Sequence, residues 1–101
     1  MIYVFWTVAG EEEAGHVVRQ LLEEGLVACA SIVCGVRSVF RWEGKVEEKD
    51  EVKVILKSQE KHFGAICGVI REMGSYEVPE VVAVKVSEAL PEYAAWVKAE
   101  T

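Results

Sequence analysis

The stretch 28–48, ACASIVCGVRSVFRWEGKVEE, limits the possible folds more than any other part of the chain. It is too apolar for a loop, and its apolar residues do not recur with the 3.6-residue period of a helix. Gly35 permits a bend or bulge, and Glu43-Gly44-Lys45 is a turn signal. The stretch therefore predicts a long β segment that turns back on itself and returns along residues 46–57.

The order of side chains along this hairpin assigns its two faces, because successive strand residues point to opposite sides of a sheet. On the outgoing limb, one face carries Val36, Phe40 and Trp42. On the return limb, one face carries Val52, Val54 and Leu56, and the other carries Lys53, Ile55 and Lys57. The five consecutive charged residues at 47–51 are interpreted as a solvated bend.

The N-terminal third of the chain predicts a strand followed by a helix. Residues 2–8 are β-branched or aromatic and favour a central strand. Three glutamates at 11–13 suit the first turn of a helix, where the helix dipole favours negative charge, and Gly25 suits its end. The apolar stripe of this helix consists of Ala14, Val17, Val18, Leu21 and Leu22.

The C-terminal half predicts helix, strand and helix. Ser58 is expected to cap a helix that runs to Met73, in which Gly64 and Gly68 would allow another backbone to approach closely. The apolar stripe of that helix consists of Phe63, Ile66, Cys67 and Ile70. A strand is predicted at 78–86, and Pro91 suits the first turn of a final helix. The side chains expected to pack inward from that helix are Tyr93, Trp96 and Val97.

The resulting order, β-α-β-β-α-β-α, predicts an α+β class protein with the split β-α-β plan of a ferredoxin-like sandwich and an extended β-hairpin. A chain of 101 residues has room for one hydrophobic core, so we expect a single domain over 1–101. Both helices would cover one face of the sheet. Its strands are apolar on both faces, so the face without helices must also be buried. We therefore expect self-association, in which another subunit covers that face.

Composition and charge exclude several classes of partner. The net charge of −6 and the pI near 4.9 argue against nucleic acid, whose phosphates require clustered Lys and Arg. No apolar run reaches the roughly 18 residues of a membrane span, and the first residues lack the basic region of a signal peptide. Three cysteines without a CxxC pair indicate reduced thiols, and we expect a cytoplasmic location.

Several short segments together resemble one family. They are Ala28-Cys29-Ala30, Ser38-x-Phe40-x-Trp42-x-Gly44-Lys45, Glu47-Glu48, Leu56-Lys57, Tyr76-Glu77-Val78-Pro79-Glu80 and Tyr93-x-x-Trp96. In their order and spacing they resemble the CutA family of divalent-cation-tolerance proteins over nearly the whole chain. The resemblance implies a tight homotrimer in which long hairpin strands reach neighbouring sheets. The residues of this trimer-forming hairpin are Phe40, Trp42, Gly44 and Lys45.

The resemblance also implies a cleft between subunits, at positions Cys29, Glu47, Lys57, Tyr76 and Glu77. It brings no established catalytic reaction and requires no cofactor, although some members are reported to bind copper. Cys29 is the candidate metal ligand, and it equally fits a small packed side chain. Members commonly carry His-Pro before the Tyr-Glu pair, where this chain has Gly74 and Ser75. We therefore expect weak binding of copper(I) and scarcely any of zinc.

The alternative to a metal role is a PII-like signalling or scaffold trimer that binds small molecules between its subunits. The charged segment 47–51 is nevertheless shorter than the effector loop of PII-type regulators. A thiol enzyme would need a base beside Cys29, whereas His16 and His62 are both expected on exposed helix faces. An acylphosphatase-like loop would follow the first strand, and residues 9–12 contain no cation there.

Overall fold

A four-stranded antiparallel sheet forms the centre of the structure, a computed structural model that describes residues 1–101. Its strands are β1 (Ile2–Val8), β2 (Cys29–Trp42), β3 (Lys45–Ser58) and β4 (Val81–Lys85), in the spatial order β2-β3-β1-β4. The helices are α1 (Glu11–Glu23), α2 (Phe63–Met73) and α3 (Pro91–Glu100), with a 3₁₀ turn at Glu60–His62. The predicted α+β class and the order of elements are confirmed.

Helices α1 and α2 pack on one face of the sheet and form the core with it. The face consists of alternate residues of the two central strands, as their period of two predicts. The buried side chains are Ile2, Val4, Trp6 and Val8 of β1, Val52, Val54 and Leu56 of β3, Ala14, Val17, Val18 and Leu21 of α1, and Ile66 and Ile70 of α2. Trp6, 1% exposed, is the largest of them.

Helix α1 ends as the sequence predicts. Gly25 has φ 68°, a left-handed conformation that costs glycine little. Its N–H donates to Leu22 O, and the next N–H, of Leu26, donates to Leu21 O, both at 3.0 Å. This pair of bonds is a Schellman motif, which satisfies carbonyl groups that the end of the helix leaves free.

Strands β2 and β3 have 14 residues each, whereas β1 has seven. The pairing of β1 with β3 stops at Val8 and Val52, so residues 36–51 form a two-stranded extension without a third strand. We call residues 36–51 the ribbon. Its turn has positive φ at Glu43 (49°) and Gly44 (78°), as a two-residue type I′ turn requires.

The prediction of a bend at 47–51 was wrong, because these residues continue strand β3. Their backbone groups pair with those of residues 36–40. The charged side chains are tolerated in this strand because both sides of the ribbon are exposed to solvent. The carboxylate of Glu48 forms an ion pair with Arg37 at 2.8 Å.

Gly35 forms the predicted bulge between the base of β2 and the ribbon. Val33 pairs with Lys53 but Val36 pairs with Glu51, so β2 contains one extra residue at this point. The left-handed φ of 74° at Gly35 accommodates it. Because one residue is added, Val36 and the even-numbered residues beyond it share a face with Val33 and the odd-numbered residues before it.

Three predictions in the C-terminal half are corrected. Ser58 ends β3, and its hydroxyl donates to Leu26 O instead of capping a helix. Strand β4 is five residues long, since Pro79 has no N–H to donate and Val78 lies exposed outside the sheet. Trp96 is exposed, whereas Val97 of the same helix is buried.

The prediction that Gly64 and Gly68 of α2 allow another backbone to approach is also corrected. Neither Gly64 nor Gly68 has an atom within 4 Å of the place where a Cβ would lie. No other part of this chain therefore approaches the helix at these positions.

The sheet face opposite α1 and α2, here called the open face, is covered only in part. Among its exposed side chains are Val33 near the sheet edge, and Val82 and Val84 of β4. Helix α3 contacts β3 and lies toward the end of the sheet that contains Lys57. The segment before β4 covers a second part, where Tyr76 and Glu80 bond to Glu51, Lys53 and Thr7.

Candidate functional site

Cys29 and Lys57 are directly opposite each other on β2 and β3. The Lys57 Nζ lies 3.8 Å from the Cys29 Sγ and donates a hydrogen bond to the Ser31 hydroxyl. It also lies 5.8 Å from the centre of the Tyr3 ring, within the range of a cation–π contact. Lys57 is only 6% exposed, which is rare for a lysine.

Helix α3 adds Tyr93 to this group. Burial raises the pKa of the Tyr93 phenol, and the neighbouring Cys29 thiol and Tyr3 phenol raise it further. Tyr93 therefore lies beside both side chains, and α3 shields this end of the open face from water. We call Lys57, Cys29, Ser31, Tyr3 and Tyr93 the Lys57 cluster.

The other predicted cleft residues lie at the ribbon. Glu47, Tyr76 and Glu77 line an open cleft of about 720 Å³ between the ribbon and the segment that leads into β4. The Tyr76 hydroxyl donates to Glu51 Oε2 at 2.5 Å, and the Lys49 Nζ lies 4.5 Å from the centre of the Tyr76 ring. Burial and the bond to Glu51 raise the pKa of the Tyr76 phenol, which favours the neutral donor.

Glu80 fixes the base of this cleft. Its carboxylate accepts hydrogen bonds from the Thr7 hydroxyl and, at 2.6 Å, from the Lys53 Nζ. The Lys53 ammonium and then the Thr7 hydroxyl hold the pKa of this carboxyl below its usual value. Three strands are joined here, because Thr7 lies on β1, Lys53 lies on β3 and Glu80 immediately precedes β4.

Within one chain, the five predicted cleft residues form two separate groups. Lys57 and Glu47 are ten residues apart on β3, which corresponds to about 33 Å at 3.3 Å per residue. Cys29 and Lys57 are together at the base, and Glu47, Tyr76 and Glu77 are together at the ribbon. A single cleft containing all five would need a second copy of the chain and stays a prediction.

Gly74 and Ser75, at the positions where the resemblance implies His-Pro, form a structural contact. The Ser75 N–H and hydroxyl donate to the Glu13 carboxylate at 2.9 and 2.7 Å, and so connect the end of α2 to the first turn of α1. Proline at 75 would lack that N–H. A Cβ at Gly74 would lie 2.7 Å from Ile70 O, so a histidine there would have to displace the backbone.

Neither histidine forms a hydrogen bond with Cys29. His16 is exposed, as predicted. His62 is half-buried, a correction, and its Nε2 lies 3.0 Å from Thr101 O. All three cysteines are free, and no three His, Cys, Asp or Glu side chains are grouped as a metal site within the chain.

Sequence reasoning placed Ser31 on the same face as Cys29 but assigned no role to Tyr3, Thr7 or Lys53. Their partners lie 26 to 73 residues away along the chain. The alternation of β3 gave one usable signal, since it places Lys53 and Lys57 on one face with the apolar Ile55 between them. Which side chain each lysine meets depends on strand register, for which no local pattern exists.

Comparisons with known proteins agree with this architecture. The family model described as CutA1 divalent ion tolerance protein matches residues 2–100. The divalent-cation tolerance protein CutA of Pyrococcus horikoshii is 38% identical over all of this chain and 98% of its own. Protein CutA of Mus musculus is 34% identical over 92% of this chain, which spans about half (52%) of the mouse protein.

Solved structures of relatives have the same fold. The divalent cation tolerance protein of Thermus thermophilus superposes with a TM-score of 0.96 at 35% identity, covering 100% of this chain and 99% of the other. The protein described as the periplasmic divalent cation tolerance protein CutA of Archaeoglobus fulgidus gives 0.95 at 31% identity, covering 99% and 98%. The family predicted from the short segments is confirmed, and this chain belongs to the CutA1 family of divalent ion tolerance proteins.

Proposed function

We propose that this protein acts in the tolerance of divalent metal ions, as a homotrimer with a ligand cleft between its subunits. Its relatives are named as tolerance proteins and not as enzymes. We accordingly propose a binding role without a catalytic reaction.

The uncovered apolar surface of the ribbon and the open face is the observation that carries this proposal. Trp42, near the tip of the ribbon, is 57% exposed, and other exposed apolar side chains are Val39, Phe40, Val46, Val82 and Val84. Exposed apolar side chains and long unpaired strand edges both favour association. Pairing with identical chains would cover both features at once.

The metal part of the proposal rests on Cys29. A thiolate is the soft ligand that copper(I) prefers, and Cys29 is half-buried at the base of the open face. Within one chain it belongs to no group of three or more Cys, His, Asp or Glu side chains. We therefore propose weak binding of copper or another divalent cation, with further ligands supplied by a neighbouring subunit.

The mass in solution tests the assembly. Light scattering coupled to size exclusion at micromolar concentration should give three times the 11.2 kDa of one chain. A stable monomer would contradict both the trimer and the cleft.

Titration calorimetry with copper(I) tests the metal ligand. Cys29→Ser should abolish binding while the mass in solution stays unchanged. Cys67→Ser, which alters another free and half-buried thiol, is the matched control and should bind copper as the original chain does. Equal binding by the Cys29→Ser variant would show that Cys29 has only a packing role.

We also propose a cytoplasmic location, supported by the three free cysteines. The helices of the structure include none with the length and apolar character that a membrane span requires. The Archaeoglobus fulgidus relative is described as periplasmic, so cell fractionation with an antibody against this chain is the necessary test. Recovery with periplasmic or membrane fractions would contradict the proposal.

A further inference from the structure

Lys57 is a buried ammonium group without an acidic partner in its own chain. It is absent from all three ion pairs of the structure. Its polar contacts are the neutral Ser31 hydroxyl and the Cys29 sulfur, which is a weak acceptor and lies 3.8 Å away. Charged lysines are almost never buried without a partner, because removing the charge from water is costly.

Lys53 provides the contrast within the same strand. It lies on the same face of β3, four residues before Lys57, and its Nζ is 2.6 Å from Glu80. The side chain of Lys53 is nevertheless the more exposed of the two lysines. The chain thus supplies a carboxylate to Lys53, whose charge is partly hydrated, and none to Lys57, whose charge is buried.

We propose that Lys57, together with the Ser31 hydroxyl, is a binding site for a carboxylate that comes from outside the chain. The carboxylate belongs either to a small free acid or to an Asp or Glu side chain of a second copy. This inference goes beyond the proposed metal role, because its receptor is the ammonium and its ligand is an anion. It rests on the proposed assembly only in the second case.

The donors of the site suit one carboxylate. An ammonium has three N–H donors, of which Ser31 takes one and the Cys29 sulfur engages a second weakly. The third is available for a charge-assisted bond, which is about twice as strong as a neutral one. Ser31 is exposed, so the ammonium can be approached from that side. The other side chains of the Lys57 cluster include no carboxylate, so a single negative charge balances the site.

The test compares Lys57→Met with Lys53→Met by thermal unfolding, at several protein concentrations, in sodium acetate and in sodium chloride of equal ionic strength. If a free acid is the ligand, saturating acetate raises the Tm of the original chain by about 4 °C or more. It raises the Tm of Lys53→Met equally and leaves that of Lys57→Met unchanged.

If a second copy supplies the carboxylate, acetate has no effect on the original chain. Lys57→Met then lowers the Tm in a concentration-dependent way, because the carboxylate of the other copy is left buried and unpaired. Glu→Gln changes at Glu47 and Glu77 would identify that carboxylate by non-additivity with Lys57→Met.

The inference is overturned if acetate has no effect and Lys57→Met either raises the Tm, leaves it unchanged, or lowers it independently of concentration. Removing an unpaired buried charge would produce the first result. Light scattering on the same samples tests the proposed assembly separately. If the original chain is a monomer, a second copy cannot supply the carboxylate, but a free acid still can. The copper titration tests the metal role independently.

Discussion

The two halves of strand β3 differ in burial although they pair with the same neighbour. From Val52 to Ser58 the strand lies between β1 and β2, and Val54 is completely buried. From Lys45 to Glu51 it pairs with β2 alone, and Val46 is 65% exposed. Two valines in one strand thus reach opposite environments, because β1 ends at Val8. Burial here is decided by the third strand and the helices, which β-propensity does not encode.

The ribbon still carries apolar side chains that a freely solvated hairpin would not need. Phe40 and Trp42 lie on its open-face side, where Glu47 and Lys45 are their cross-strand neighbours. A two-stranded hairpin is marginally stable alone in water. The packed half is thus complete within one chain, whereas the ribbon consists of two strands without a third.

Replacing a tryptophan in each region should separate folding from association, with the largest effect in the packed half. Trp6→Ala removes a fully buried side chain and should lower the free energy of unfolding by about 3–5 kcal/mol. Trp42→Ala should leave the fold of the chain intact and weaken the proposed trimer more than Trp6→Ala does. Urea unfolding and sedimentation at several concentrations would measure the two effects. Equal dissociation of both variants would contradict the role of the ribbon.

The junction between the regions should be the next most sensitive point. Gly35→Ala places a side chain at φ 74° and should lower the free energy of unfolding by about 1–2 kcal/mol. Gly10→Ala is the control, since Gly10 has φ −155° and open space around it; its loss should be smaller, below about 1 kcal/mol, because alanine is only a poorer N-cap for α1. Equal losses in urea unfolding would mean that the bulge does not depend on the left-handed backbone.

A smaller effect of opposite sign is expected on helix α2. Gly68→Ala should raise the free energy of unfolding by about 0.5–1 kcal/mol, because glycine is unfavourable in a helix and nothing lies within 4 Å of the added methyl. Ala65→Gly, at an exposed position of the same helix, should lower it by a similar amount. A loss of trimer in Gly68→Ala would instead show that another copy covers this helix.

The smallest effect should come from Glu80, whose pKa is held below its usual value by Lys53 and Thr7. A lowered pKa in the folded state stabilises the protein above the unfolded value of about 4.3, and this contribution is lost as pH falls through the folded value. Glu80→Gln should therefore destabilise the chain at pH 7 by less than about 1 kcal/mol, since the side chain is partly exposed.

The pH dependence of that difference is the decisive measurement. The gap between the original chain and Glu80→Gln should close as the pH falls below about 4. Glu88→Gln, at an exposed position that takes part in no ion pair, should show no gap at any pH. A gap that persists at low pH would assign the role of Glu80 to something other than its charge.

The sequence by itself determined the elements whose signals are local. The strand at 2–8, the stop at Gly25, the bulge at Gly35 and the alternation of 52–57 follow from period, dihedral freedom or helix dipole. The stripe of α1 follows too, except that Leu22, predicted in the stripe, is 42% exposed. The short segments around Trp42 and Tyr76 also identified the family.

The tertiary structure alone decided what depends on distant partners. The charges of residues 47–51 predicted a solvated bend, but backbone pairing with β2 makes these residues part of a strand. Ser58 read as a cap, but its hydroxyl bonds to Leu26 O, 32 residues earlier. Register placed Cys29 opposite Lys57, and strand length placed Glu47 about 33 Å from Lys57 along β3. The physical reason is the same in each case: backbone pairing and burial are settled between segments that are far apart in the chain, so no short window of sequence contains them.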